Sequence, residues 1–230
     1  IYDGPFELDD FTIQPVIVEK MPSLADGDAL LQPVSVAPGD LVVDIHGNLV
    51  NLTTGVTYRP AGCSEWACAQ TYTGNQPVQI DQLVVKFRLL PGLSWSDGTP
   101  LTAMDSVFSY EVAHGLYPVA WPERVRRTQS YRAVDELTVE WVGVPGELGG
   151  LYQTHFYPPL PQHAWGGISV QELPAADMAS RQPLGWGAYS IQEWVNGDHI
   201  TLQRNSLYFR AAQGLPHFDY LVYRFMDDSE

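Results

Sequence analysis

Apolar and polar positions alternate with a period of two over several short stretches of this chain, and with a helical period over one main stretch. Leu83-Val84-Val85-Lys86-Phe87-Arg88-Leu89 alternates apolar and charged residues after Val84, as a half-buried strand does. Thr138-Val139-Glu140-Trp141-Val142 alternates in the same way. Two hairpins are legible. In the first, within residues 40–52, β-branched runs flank His46-Gly47-Asn48; in the second, residues 187–195 and 199–204 flank Asn196-Gly197-Asp198. Residues 14–19 form a short β-prone run closed by Met21-Pro22, and residues 218–226 form the last predicted strand.

The main predicted helix follows a turn, Ser96-Asp97-Gly98-Thr99-Pro100, in which Gly98 can supply a positive φ. Thr102 is its N-cap, and Asp105 stands at the third helical position, a capping box with Asp in place of Glu. Phe108 and Val112 give an apolar pair at i, i+4, and Gly115 suits the C-terminal cap. A shorter helix over residues 170–179, capped by Ser169, is interrupted by Pro174. Residues 53–80 read as polar and irregular. Strands outnumber helices, and the 20 Gly and 18 Pro are scattered without forming a linker or a repeat. The predicted class is α+β, with mostly antiparallel mixed sheets and few helices.

Composition narrows the partners. The chain has 230 residues, 45% of them hydrophobic, so it can bury a core. Its net charge of −15 repels phosphate backbones and argues against a nucleic-acid partner. Lys20 and Lys86 are the only lysines, so no polybasic membrane patch exists, and no run of apolar residues is long enough for a membrane-spanning helix. The chain opens at Ile1 without Met and stops at Glu230 just after an apolar segment. It is therefore read as an excised piece of a longer mature protein, in which any targeting segment is already lost.

Cys63 and Cys68 are the two cysteines, with four residues between them. That loop can close with ordinary disulfide geometry and would contribute roughly 2 kcal/mol. Free buried thiols, or half of a metal site, are the alternatives; no His lies near the pair in sequence to complete a metal site. A disulfide points to an oxidising, extracytoplasmic setting.

Catalytic chemistry is hard to find. His46, His114, His155, His163, His199 and His217 form no zinc-binding spacing, and no nucleophile elbow or phosphate-binding loop occurs. Glu140 and Glu193 are candidates for a glycosidase pair only in the weak sense that acids are plentiful here, and Asp227 and Asp228 read as solvated. No catalytic residue, metal or cofactor is assigned. The chain is rich in aromatics, with 7 Trp, 12 Tyr and 8 Phe, most of them core residues and a few available to line a ligand surface.

Two longer segments carry a resemblance. Val85-Lys86-Phe87-Arg88-Leu89-Leu90-Pro91-Gly92-Leu93-Ser94-Trp95-Ser96-Asp97-Gly98-Thr99-Pro100-Leu101-Thr102-Ala103-Met104-Asp105, continuing to Glu111, closely resembles the signature of family 5 extracellular solute-binding proteins. These are the peptide- and nickel-type binding components of ABC importers. Pro183-Leu184-Gly185-Trp186-Gly187-Ala188-Tyr189 through Trp194, then residues 200–208, look like the family's second characteristic block, and Ile1-Tyr2-Asp3-Gly4 is similar to the segment that opens its small domain. Two departures stand out. Trp186 occupies a position where the family has a small polar residue, and residues 21–80 are longer than usual and carry the cysteines.

The resemblance implies part of a type II periplasmic-binding-protein fold. Residues 1–160 would be the extra small domain of the first lobe, and residues 161–230 part of that lobe's core sheet. Half the cleft would be absent, and the chain alone would be a monomer. It also implies capture of a small solute or peptide outside the cell, at the periplasmic or cell-surface side, membrane-tethered in the full-length protein and delivering to an ABC permease. Tyr117, Trp121 and Trp186 are the ligand-facing candidates by rough position. The competing reading, motivated by Trp content and acidity, is a secreted carbohydrate-binding module or glycoside hydrolase.

Overall fold

In the computed structural model, which describes residues 1–226, the first half of the chain is built of strands. These are β1 (Phe6–Asp9), β2 (Thr12–Pro15), β3 (Ala29–Val36), β4 (Leu41–Val43), β5 (Leu49–Asn51), β6 (Thr57–Tyr58), β7 (Gln70–Thr71) and β8 (Val78–Arg88). Helices α1 (Ala103–Gly115) and α2 (Pro122–Arg127) precede β9 (Thr128–Ala133) and β10 (Thr138–Gly143). After the short helices α3 (Gln162–Trp165) and α4 (Asp177–Ser180), the chain closes with β11 (Tyr189–Val195), β12 (His199–Arg204) and β13 (Tyr220–Arg224). The class is the predicted one: antiparallel sheets with few helices. Asp227 and Asp228 lie outside the described residues.

The central sheet has the order β3-β8-β10-β9, antiparallel throughout. Strand β8 is longer than its alternation predicts because its first half is buried on both faces, from Ile80 to Val85, and alternates only from Lys86 onward. Burying Asp81 and Gln82 there is tolerable because both are satisfied. The Asp81 carboxylate accepts the Gly62 backbone N–H at 2.7 Å, and the Gln82 amide donates to the Gly143 carbonyl at 2.9 Å. Strand β3 pairs with β8 from Ala29↔Val85 to Val36↔Val78, although Pro33 lies within it. It is an edge strand, where a missing N–H need not break a ladder.

Helix α1 begins as its sequence demands. The Asp105 carboxylate accepts the Thr102 backbone N–H at 2.9 Å, the acidic half of a capping box. The buried Ser106 hydroxyl donates to the Tyr157 carbonyl at 2.5 Å and accepts from the Tyr131 hydroxyl on β9 at 2.7 Å, fixing the helix against the sheet. Gly115 is not the C-cap: Leu116 is. A β-carbon at Gly115 would sit 2.8 Å from Val170 Cγ1, so glycine is needed there for close packing, not for a left-handed turn. The short helix expected over residues 170–179 is split into a 3₁₀ turn (Leu173–Ala175) and α4 (Asp177–Ser180), as Pro174 requires.

The largest core cluster includes Phe87, Trp95, Trp141, Phe156 and Tyr157, all under 2% exposed, between the central sheet and α1. A second, smaller cluster of Val36, Val42, Leu52, Tyr58, Tyr72 and Ile80 lies under the β4–β5 and β6–β7 hairpins. Strands β11-β12-β13 form a separate three-stranded antiparallel sheet. On it Tyr220, Val222 and Tyr223 are more than half exposed.

Candidate functional site

Turn and motif residues assemble one apolar concavity. The Asp97-Gly98 turn comes first. Gly98 has φ of 90°, and its N–H donates to the Trp95 carbonyl at 2.9 Å, while Asp97 accepts the Thr99 N–H at 2.9 Å. The turn aims Trp95 into the core and lets the Ser96 N–H reach the Gly185 carbonyl at 2.8 Å.

That contact brings in the second motif. The Gly187 N–H donates to the Ile1 carbonyl at 2.7 Å, and a β-carbon at Gly187 would lie 2.6 Å from that oxygen. The two backbones therefore approach only because residue 187 has no side chain. Asn205 locks the loop, donating its side-chain amide to the Gly187 carbonyl at 2.9 Å. Tyr208 donates to Asp3 Oδ2 at 2.5 Å. Gly187, Asn205 and Tyr208 thus hold Ile1-Tyr2-Asp3-Gly4 in place beside Trp186.

The result is a concavity of about 350 Å³ whose surface is mainly apolar, with Tyr2, Trp121, Trp186 and Pro158-Pro159-Leu160 around it. The Tyr2 and Trp186 rings are 4.9 Å apart, and Trp186 meets Trp95 edge-on at 5.4 Å. Trp186 is 2% exposed, and its indole N–H is buried without a hydrogen-bond partner among the described residues. Burial pushes the Tyr2 phenol well above its ordinary pKa, so the ring stays neutral.

Trp121 forms the open side and is 44% exposed. It N-caps α2 with φ of 42°, a left-handed backbone that a bulky residue adopts only against strain. Its ring is braced from behind. The Arg124 guanidinium lies 5.0 Å from the Trp121 ring and 5.3 Å from Tyr157, and donates to the Phe156 carbonyl at 3.0 Å. Burial lowers the Arg124 pKa, yet it remains a cation, and cation–π contact holds it between the two rings. Burial also raises the Tyr157 phenol to about 12.

Of the residues picked out from sequence, Trp121 and Trp186 therefore meet in one site. Tyr117 is half exposed and is not among the residues around it. Tyr2 and the Pro158–Leu160 segment were not singled out for ligand contact. The first lies inside the opening segment Ile1-Tyr2-Asp3-Gly4 and the second carries Pro158 and Pro159, but neither has a local pattern that announces a ligand surface.

The groups weighed for catalysis lie apart. Glu140 on β10 pairs with Arg132, and Glu193 on β11 pairs with His199 at 3.3 Å, in different sheets. Among the described residues no group of three His, Cys, Asp or Glu side chains is placed to hold a metal ion, and no helix is long and apolar enough to cross a membrane. Cys63 and Cys68 are bonded to each other, with Cα atoms 5.8 Å apart.

These features place the chain in the type II periplasmic-binding-protein fold. The oligopeptide-binding protein of Thermus thermophilus, solved with a pentapeptide, superposes on 98% of this chain and 35% of its own, with a TM-score of 0.61 at 17% identity. AppA of Bacillus subtilis, solved with a nonapeptide, covers 93% of this chain and 38% of its own, with a TM-score of 0.55 at 18% identity. Residues 60–230 match the bacterial extracellular solute-binding proteins, family 5 (middle), and the chain belongs to that family. In sequence, the oligopeptide-binding protein AppA of Bacillus subtilis is 25% identical over 159 residues, 64% of this chain and 27% of AppA. The chain thus spans about a quarter of the length of that relative.

Proposed function

We propose that this chain forms one wall of the solute cleft of an ABC importer's extracytoplasmic binding component, with a peptide as the solute and a membrane permease as the receiver. The observation that carries this is the Tyr2–Trp121–Trp186 concavity, which the family motif residues Gly187, Asn205 and Tyr208 help to assemble. Aromatic walls with backbone polar groups beside them suit an extended peptide, whose side chains need apolar surface and whose amides need partners. Trp121 is the residue offered to the ligand; Trp186 is a buried part of the same lining, packed against Tyr2 and Trp95. Residues 1–160 act as the extra domain of the first lobe and residues 161–230 as part of its core sheet, and the other wall of the cleft lies in polypeptide beyond this chain. The chain works by binding and not by catalysis. Closure of two lobes then sequesters the ligand.

The test is Trp121→Ala in the longer protein, titrated with a mixed peptide library by calorimetry. Loss of an aromatic wall should weaken binding at least tenfold with the fold intact by circular dichroism. Unchanged affinity would remove Trp121 from the site.

A further inference from the structure

The disulfide loop lies outside the peptide-site reading, and a second concavity sits beside it. It has a volume of about 230 Å³, below the range of drug-sized pockets, and is bordered by Asp44, His46, Arg59, Arg127 and Glu147. Four of these five are already engaged. Asp44 Oδ1 accepts the His46 and Asn48 backbone N–H groups, each at 2.8 Å, and its Oδ2 accepts from the Asn48 side chain at 3.1 Å. Burial alone would raise the Asp44 pKa, but those hydrogen bonds outweigh it and hold the carboxyl below its usual range. Glu147 is paired with Arg127 and accepts the Gly149 N–H at 3.1 Å, and Arg127 also donates to the Gly47 carbonyl at 2.8 Å. His46 rests against Trp66, ring centroids 5.5 Å apart.

Arg59 is the exception. Its Nε is shielded from solvent with no hydrogen-bond partner, and among the described residues no carboxylate pairs with its guanidinium. The group is held in place all the same. It lies 5.9 Å from the ring of Trp66, an exposed residue whose backbone belongs to the 3₁₀ turn (Trp66–Cys68) inside the Cys63–Cys68 loop. The loop is tied to the central sheet by the Gly62–Asp81 hydrogen bond. A positioned guanidinium with its fork unused, in a protein of net charge −15, lacks one component: a planar anion that accepts two N–H bonds.

We propose that this concavity is a binding site for a small monocarboxylate, held by the Arg59 guanidinium beside Trp66. The ligand's two oxygens match the guanidinium fork, and the small volume excludes a peptide chain. Among the described residues neither carboxylate of the site pairs with Arg59: Asp44 accepts from His46 and Asn48, and Glu147 from Arg127 and Gly149.

The probe is acetate, with acetamide as its neutral counterpart, titrated into the 230-residue chain while the indole N–H resonance of Trp66 is followed by NMR. Trp66→Phe identifies that resonance. Saturable movement with acetate, roughly millimolar in midpoint, is expected, with none for acetamide. Arg59→Gln should weaken the response at least tenfold, and Arg59→Lys, which keeps the charge but loses the fork, should fall between. If Arg59→Gln fails to fold, the acetate–acetamide contrast and Arg59→Lys still decide. No saturable movement, equal movement with acetamide or with chloride at matched ionic strength, or undiminished response in Arg59→Gln overturns the proposal.

Discussion

His155 shows how one buried side chain sets a pH limit. Its ring stacks on Trp141 with centroids 4.3 Å apart and 3° between planes. Burial lowers its pKa from 6.5 to about 4, only partly opposed by Glu147, with Arg124 and Arg127 adding to the depression. In the unfolded chain His155 protonates near its ordinary pKa; in the folded chain it resists. The stability it contributes is therefore whole above pH 6.5 and is lost as pH falls from about 6.5 toward 4, by up to about 3 kcal/mol. His155→Phe keeps a ring against Trp141 and removes the titration. Urea midpoints measured across that window should fall for the parent and stay flatter for the variant; parallel curves would refute this. Gly98→Val is a second residue-scale test. With φ of 90° and only Leu207 near a new β-carbon, at 3.8 Å, the cost is backbone strain and not a clash. A loss of about 1–3 kcal/mol is expected, and an unchanged melting midpoint would show that the turn tolerates a side chain. Glycine roles are only partly legible from sequence. Gly98 follows from its turn, whereas Gly115 faces Val170, a residue that only the tertiary fold brings near.

At the scale of elements, the tip of the β1–β2 hairpin violates its own turn chemistry. Asp10 and Phe11 have φ of 43° and 65°, the pair of left-handed residues a two-residue hairpin turn demands, and Phe11 is 98% exposed. Phe11→Gly should raise stability by about 1 kcal/mol, the relief of strain less the entropy glycine adds to the unfolded chain. A lower melting midpoint would mean that the Phe11 ring makes stabilising contacts. The Cys63–Cys68 loop gives a further test: mass spectrometry without reductant should find no free thiol, and Cys63→Ser with Cys68→Ser should cost roughly 2 kcal/mol. Two alkylatable thiols in the native protein would contradict the bond. Which elements were legible follows from what their sequences could advertise. The hairpins β4–β5 and β11–β12, strand β10 and helix α1 carry local turn, period or cap signals. Strand β3 carries Pro33, which sheet-edge placement excuses, and the first half of β8 carries Gln79, Asp81 and Gln82. Those polar residues break the period, and only their tertiary partners make the strand acceptable.

Across the whole molecule, the family motifs prove to be scaffolding. Gly187, Asn205 and Tyr208 bind the N-terminal segment to the Trp186 loop, and Trp121, whose ring is proposed to face the ligand, lies outside both motifs. This explains why the fold was readable and the concavity less so: motif residues pattern the backbone, while the concavity is lined by side chains from four distant segments. If this chain is one wall of a cleft, as proposed, a peptide bound to it stays half in water, without the burial that makes a pocket tight. On the same proposal, the opposing lobe needed for closure is not part of this wall. Calorimetric titration of one peptide library against this chain and against the longer protein tests the central claim most directly. Dissociation constants roughly millimolar or weaker are expected for the 230-residue chain, and at least a hundredfold tighter for the longer protein. Micromolar binding by the chain alone would contradict the claim, because a complete site would then lie within these residues.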